Sequence, residues 1–179
     1  MACNSSYVLG GIAEDCKLGR SGLKSIYIAN YSDVATKEID ENGMVTTLTM
    51  NDSAKFYKFN FPKGTASFTS TYTPQDAGVD YYTTNISLTF TRAENAKRLS
   101  IMALVLNDVC AIIEDNNGEF YFMGYDGALN VTENTQETGT SKTDTNGNRY
   151  TINLQDLSYE LPRFIDATAV SIETLVNEK

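Results

Sequence analysis

The side chains able to carry acid–base, nucleophilic or metal chemistry are few, and their spacing does not suit it. Histidine is absent from all 179 residues. That removes the commonest general acid/base and the commonest transition-metal ligand together. Without it no serine or cysteine triad can be assembled, and no GxSxG run occurs. The densest carboxylates, Glu114-Asp115, Glu119 and Asp126, surround one Asn117-Gly118 step. A glycosidase pair needs two carboxyls across a cleft, one with a raised pKa, whereas a hairpin turn leaves its acids in solvent. "EDNNGE" and "DTNGN" carry oxygen-rich turn chemistry, but Gly147 follows Asp144 and Asn146 too early for a calcium loop, and no Glu stands at the twelfth position. Cys3, Cys16 and Cys110 are odd in number and contain no CxxC; a reducing compartment is expected, with Cys110 a packing residue inside an apolar strand. "LGGIAEDCKLGRSG" is glycine-rich but lacks the GK[ST] ending of a phosphate loop. The expectation is therefore a non-catalytic chain with no cofactor and no metal.

The elements around these residues read as strands with one helix. "LKSIYIANYSDV" (23–34) holds a strand built on Ile26, Tyr27 and Ile28 that ends at the polar "NYSD". Asn42-Gly43 marks a two-residue hairpin turn leading to "VTTLTM". In "AKFYKFNFP", Tyr57, Phe59 and Phe61 alternate on one face, with Phe56 and Lys58 on the other. "TASFTSTYT" and "YYTTNISLTFT" follow, the second with Ile86, Leu88 and Phe90 on one side. The segment 92–107 is the one convincing helix: Ala93, Ala96, Leu99, Ala103 and Leu106 recur at steps of three and four, the spacing of a packed face. Val109–Glu114 and Glu119–Gly124 form a hairpin, Asp126-Gly127 a further turn, and Asn148–Pro162 another strand. The chain's end reads as a strand or a short helix. This order gives an arm over 1–22 and one mainly β domain over 23–179, a β-sandwich or partial barrel with one packed helix.

Composition excludes further classes. A net charge of −9 argues against a nucleic-acid binder, which needs a cationic footprint. The same charge suits a wall past which DNA slides without adhering. The longest apolar run, "IMALVL" at 101–106, is far too short to span a bilayer, so no membrane partner is expected.

Three stretches carry a resemblance. "GLKSIYIANYSDV" (22–34), "AIIEDNNGEFYFMGYDGALNVT" (111–132) and "TGTSKTDTNGNRYTINLQ" (138–155) resemble, in that order, the opening strand, the hairpin after the helix and the following glycine-aspartate-asparagine segment of tail-tube-like virion proteins. These belong to phages of Bacteroides-type hosts, including crAss-like phages. Gly139, Asp144, Asn146-Gly147 and Tyr150 match in order. The C-terminal "LSYELPRFIDATAVSIETLVNEK" does not follow a tail-tube ending, which leaves a neck ring as open as a tube. The resemblance implies a tail-tube-like fold and a six- or twelve-fold homo-oligomeric ring without an active site. It implies a virion location in tail or neck after assembly in the host cytoplasm. Neighbouring tail, neck or portal proteins would be the partners, and DNA would pass through the lumen without specific binding.

Long hairpins pair with neighbouring subunits in such rings. The polar segment at about 128–152 is the natural candidate here, with Thr135, Thr138, Thr140, Thr143, Thr145, Asn146 and Gly147 as its inter-subunit residues. Edge strands invite such pairing. The alternative is a non-catalytic carbohydrate- or surface-binding β-sandwich, favoured by eleven tyrosines and weakened by the absence of tryptophan.

Overall fold

Leu23–Asn30 (β1) and Val109–Asp115 (β7) are apolar at consecutive positions rather than alternate ones, and the architecture follows from that. A strand of this kind must be covered on both faces. In the computed structural model, which describes residues 11–12, 19–74, 80–141 and 147–177, β1 and β7 pair antiparallel in the middle of a six-stranded sheet. Its other members are β4 (Phe56–Lys58), β8 (Phe120–Met123), β11 (Arg163–Phe164) and β12 (Val176–Asn177), in the order β11-β8-β7-β1-β4-β12. A second sheet, β5-β6-β10-β9, is built from β5 (Ala66–Thr73), β6 (Tyr81–Thr91), β9 (Asn130–Glu137) and β10 (Arg149–Ser158). A two-stranded ribbon, β2 (Val34–Ile39) with β3 (Val45–Met50), completes the strands. The chain is thus mainly β, with helix α1 (Asn95–Leu106) and a single turn α2 (Ile172–Leu175).

Two apolar cores cover the central sheet. On one side Ile26, Ile28, Ala111 and Ile113 meet Ile86, Leu88, Ile152 and Leu154 of the four-stranded sheet, with Ile101 and Leu104 of α1. On the other, Tyr27, Cys110, Ile112 and Phe122 meet Val45 and Leu48 of the ribbon and Ile165, Val170 and Leu175 of the C-terminal segment. The C-terminal stretch therefore contributes to a core, through a bridge from Ile165 to Val45 and a parallel pairing of β12 with β4.

Three readings of local pattern are corrected. The helix does not pack through its Ala-Leu stripe: Ile101 and Leu104 are buried, whereas Ala96, Leu99, Ala103 and Leu106 are exposed, and only Ala93 leans on the core. Phe56 is fully buried and Tyr57 is 55% exposed. The β4 strand ends at Lys58, so alternation cannot carry one face through to Phe61. The strand in 23–34 does end at the polar "NYSD" run, at Asn30, where Tyr31–Asp33 forms a short 3-10 turn. Among the turns, Gly43 takes φ +80° while Asn42 does not enter the left-handed region. The β2–β3 loop is instead held by Asp40, which accepts hydrogen bonds from the backbone N–H groups of Asn42 and Met44. The Met44 bond first, then Asn42, holds the Asp40 carboxyl below its ordinary range.

Residues 20–22, the end of the predicted arm, are tied to the β7–β8 turn. Asn117 Oδ1 accepts from the Arg20 N–H, and the side-chain amides of Asn117 and Asn116 donate to the carbonyls of Arg20 and Ser21.

Candidate functional site

The outer face of the four-stranded sheet is the most distinctive surface of the molecule. Strict alternation sends Ile86, Leu88 and Phe90 of β6, and Tyr150, Ile152 and Leu154 of β10, into the core. The residues between them face out and fall into rows by register. Ser67, Ser87, Asn153 and Glu133 form one row. Thr69, Asn85, Gln155 and Asn130 form the next, and Thr89, Thr151 and Thr135 a third. Arg149 and Glu137 neutralise one another at 2.7 Å. Asn153 donates to Glu133, and Gln155 Nε2 donates to Asn85 Oδ1 at 3.2 Å. These rows are a small-residue, hydroxyl- and amide-rich wall with almost no free charge; the same face continues through Thr71, Thr83 and Leu157 to Thr73 and Tyr81, its one aromatic ring in the described register.

Both edges of this sheet are long. β5 and β9 are eight residues each and close the strand order at either side. No described strand pairs with their outer edges. All three pairings in the sheet are antiparallel, so β5 and β9 run in opposite directions. A β9 edge laid beside the β5 edge of another copy, with the sheets facing the same way, would meet it antiparallel.

The polar segment lies in this setting. Its first half is strand rather than loop: β9 runs to Glu137 and pairs with β10 along seven register positions, interrupted by a bulge near Thr132. Thr135 stands on the outer face opposite Thr151. Thr138 and Thr140 follow β9 at the exposed tip, and Gly147 adopts φ +36° ahead of β10. Thr143, Thr145 and Asn146 lie outside the described residues.

The remaining chemical candidates fall apart from one another. Glu114 is not a solvated turn acid: it is 7% exposed and accepts from Ser25 Oγ at 2.6 Å, with Lys24 beside it. The Glu114 bond raises the Lys24 ammonium, but the Lys24 side chain is largely exposed, so solvent screens the pair. Burial pulls Asp115 upward. Hydrogen bonds from the Asn117 side chain and the N–H groups of Glu119, Asn117 and Gly118 outweigh it, and the net direction is down. Cys110 is fully buried, and burial pushes its thiol up to about 12, which makes it inert at neutral pH. Among the described residues no cluster of three or more Cys, Asp or Glu side chains could hold a metal ion. No described helix is long and apolar enough to cross a membrane.

One polar site went unread in the sequence. Asp156 occupies the inward register of β10 after Tyr150, Ile152 and Leu154, a carboxylate where the alternation calls for an apolar residue. It is 5% exposed. Oδ2 accepts from the Gly124 N–H at 3.0 Å, while Oδ1 has no donor. On the other side of the Gly124-Tyr125 peptide, Lys37 Nζ donates to the Tyr125 carbonyl and to Tyr31 Oη, and lies 4.5 Å from the Tyr31 ring centroid. Ribbon, central sheet and four-stranded sheet are joined there. Burial raises the Asp156 carboxyl; the Gly124 N–H opposes it, the Asp126 charge adds to it, and Lys37 opposes it. A raised folded-state pKa means the folded protein holds its proton longer than the unfolded chain. Stability therefore falls as pH rises through that window, and the loss is complete above the folded pKa. Asp156→Asn keeps an acceptor for Gly124 and cannot ionise. Its stability relative to wild type should improve in urea melts as pH rises above the ordinary carboxylate range, and level off once Asp156 is ionised in the folded protein. A difference independent of pH would contradict the assignment.

No protein-family model, curated protein or solved structure matches the chain.

Proposed function

We propose that the chain is a structural subunit of a tailed-phage virion, one that closes into a ring or tube of the tail or neck and lines part of the DNA conduit. The observation that carries this reading is the nearly neutral, Ser/Thr/Asn-rich face of a four-stranded sheet whose two long edges pair with no described strand and run in opposite directions. Heterologous pairing of β9 on β5 consumes both edges of every copy and ends only on closure. Six copies of four strands, spaced about 4.8 Å apart and tilted as in barrels, would enclose a wall roughly 45–52 Å across between backbones. The lumen surface would then be the hydroxyl and amide rows, which offer DNA phosphates no cationic hold, on a subunit of net charge −9. The order of strands, helix, hairpin and glycine-asparagine segment that resembles tail-tube-like proteins supports the same reading, as does the absence of histidine. A carbohydrate-binding platform would want several rings to stack on sugars, and this face offers only Tyr81, at one end.

Edge-specific substitutions test the proposal. Alternate residues of an edge strand point their N–H groups inward and outward. Of Asn134→Pro and Thr135→Pro, one removes a ladder bond to β10 and the other removes only an outward donor. The second kind should stay folded and lose assembly, seen as a collapse of the ring fraction in sedimentation velocity. Ser70→Pro and Thr71→Pro make the same pair in β5. A folded proline variant of either edge that still forms rings would sink the edge-pairing mechanism. Glycan-array binding by a monomeric wild-type chain would favour the alternative module.

A further inference from the structure

The chain builds the same turn twice. Asp40-Glu41-Asn42-Gly43 closes the ribbon, and Asp115-Asn116-Asn117-Gly118 closes the β7–β8 hairpin. In each, aspartate Oδ1 accepts from two backbone N–H groups, those of Asn42 and Met44 or of Asn117 and Glu119. Oδ2 accepts from the asparagine side-chain amide, at 3.3 Å in the first turn and 2.9 Å in the second. The aspartate carbonyl accepts from the glycine N–H, at 3.1 and 3.2 Å. Both asparagines are exposed and both glycines have positive φ. The turns differ in what grips the asparagine amide from outside. Among the described residues the Asn42 side chain bonds only to Asp40, and Arg163 reaches no further than the Gly43 carbonyl. Asn117 Oδ1 instead accepts from the Arg20 N–H at 2.7 Å, and its Nδ2 donates to the Arg20 carbonyl at 3.0 Å.

We propose that Asn117-Gly118 is a deamidation site gated by residues 20–22, and that its conversion releases those residues irreversibly. An asparagine before glycine is open to this reaction because no side chain shields the attacking nitrogen. The Gly118 nitrogen attacks Asn117 Cγ and gives up its proton. The amide nitrogen leaves with that proton as ammonia, and a cyclic succinimide forms. Water then opens the ring at either carbonyl and leaves aspartate or isoaspartate. For the attack Cγ must swing toward the Gly118 nitrogen, and the two bonds to Arg20 hold it away. The product cannot restore them. It keeps an oxygen for the Arg20 N–H, but a carboxylate oxygen replaces the donor that faced the Arg20 carbonyl and Asp115 Oδ2. Two hydrogen bonds become two contacts between acceptors, one of them carboxylate against carboxylate. Asn42, in the same turn without the grip, is the ungated reference.

Peptide mapping of the full-length chain, kept folded at mildly alkaline pH, reads the two sites side by side. Asn117 should convert roughly tenfold or more slowly than Asn42, because the bonds to residues 20–22 must open first. In urea the two rates should become alike; a difference that persisted there would belong to the sequence and overturn the gate. Arg20→Pro removes the N–H that Asn117 Oδ1 accepts. It should bring Asn117 toward the Asn42 rate and leave Asn42 unchanged. Release is read by trypsin at the Arg20–Ser21 bond. Asp-Gly serves a hairpin turn as well as Asn-Gly, so Asn117→Asp should stay folded. It should be cut there roughly tenfold or more faster than wild type, while Asn42→Asp should not. Equal conversion at Asn42 and Asn117 in folded wild type, no gain in Arg20→Pro, or unchanged cleavage in Asn117→Asp overturns the proposal.

Discussion

Phe56→Ala should lower the unfolding free energy by about 3–5 kcal/mol, while Tyr57→Ala, one residue on, should change it by less than about 1 kcal/mol. Phe56 has no exposed surface and belongs to the core between the central sheet and the ribbon, whereas more than half of Tyr57 is open to solvent. The cost at Phe56 has two parts: the apolar transfer energy of the ring and the cavity left behind. Little can collapse into that cavity. Phe56 sits on a three-residue strand between β1 and β12, held by register on both sides. Urea melts of the two variants read the difference directly. Equal losses, or a larger loss at Tyr57, would show that β4 presents the opposite face to the core.

The second large effect is expected at Gly124. Its φ of +93° lies where a side chain is disfavoured by about 1–2 kcal/mol. A Cβ there would come within 3.0 Å of Cys110 Cβ and 3.2 Å of the Gly127 carbonyl oxygen. Neither neighbour can swing aside, because one is a strand residue in the core and the other is backbone. Overpacking of this kind adds roughly 1–3 kcal/mol, and the displaced peptide would also loosen the bond from Gly124 N–H to Asp156. Gly124→Ala should therefore destabilise by about 2–5 kcal/mol. Gly118→Ala is the matched control: it shares φ +93° but has open space around its would-be Cβ. It should lose only the conformational part. Equal losses at the two glycines would remove the steric argument.

Much of the fold is legible in the chain. Continuous apolar character at β1 and β7 announces strands covered on both sides, and alternation in β6 and β10 fixes which of their residues enter the core. What stayed hidden has physical reasons. Helix α1 is apolar on two sides, so its periodicity reveals two faces that want cover but not which belongs to its own core. β9, "NVTENTQE", has only Val131 to bury, and its strand character comes from pairing with β10 rather than from its own pattern. A three-residue strand such as β4 is too short for alternation to decide a face. Asp156 could have been found, because a carboxylate in step with Tyr150, Ile152 and Leu154 has to be either paired or neutral once folded. The outer face was written in the sequence as Thr-X-Thr spacing in β5 and β6, and only the register between strands turned it into a continuous wall.

The most direct test is electron microscopy of the purified full-length chain at high concentration. Closed rings or tubes are predicted, with a lumen bounded by the four-stranded sheet and β9 of each copy beside β5 of the next. Particles that remain monomeric or stop at dimers under the same conditions would contradict the account.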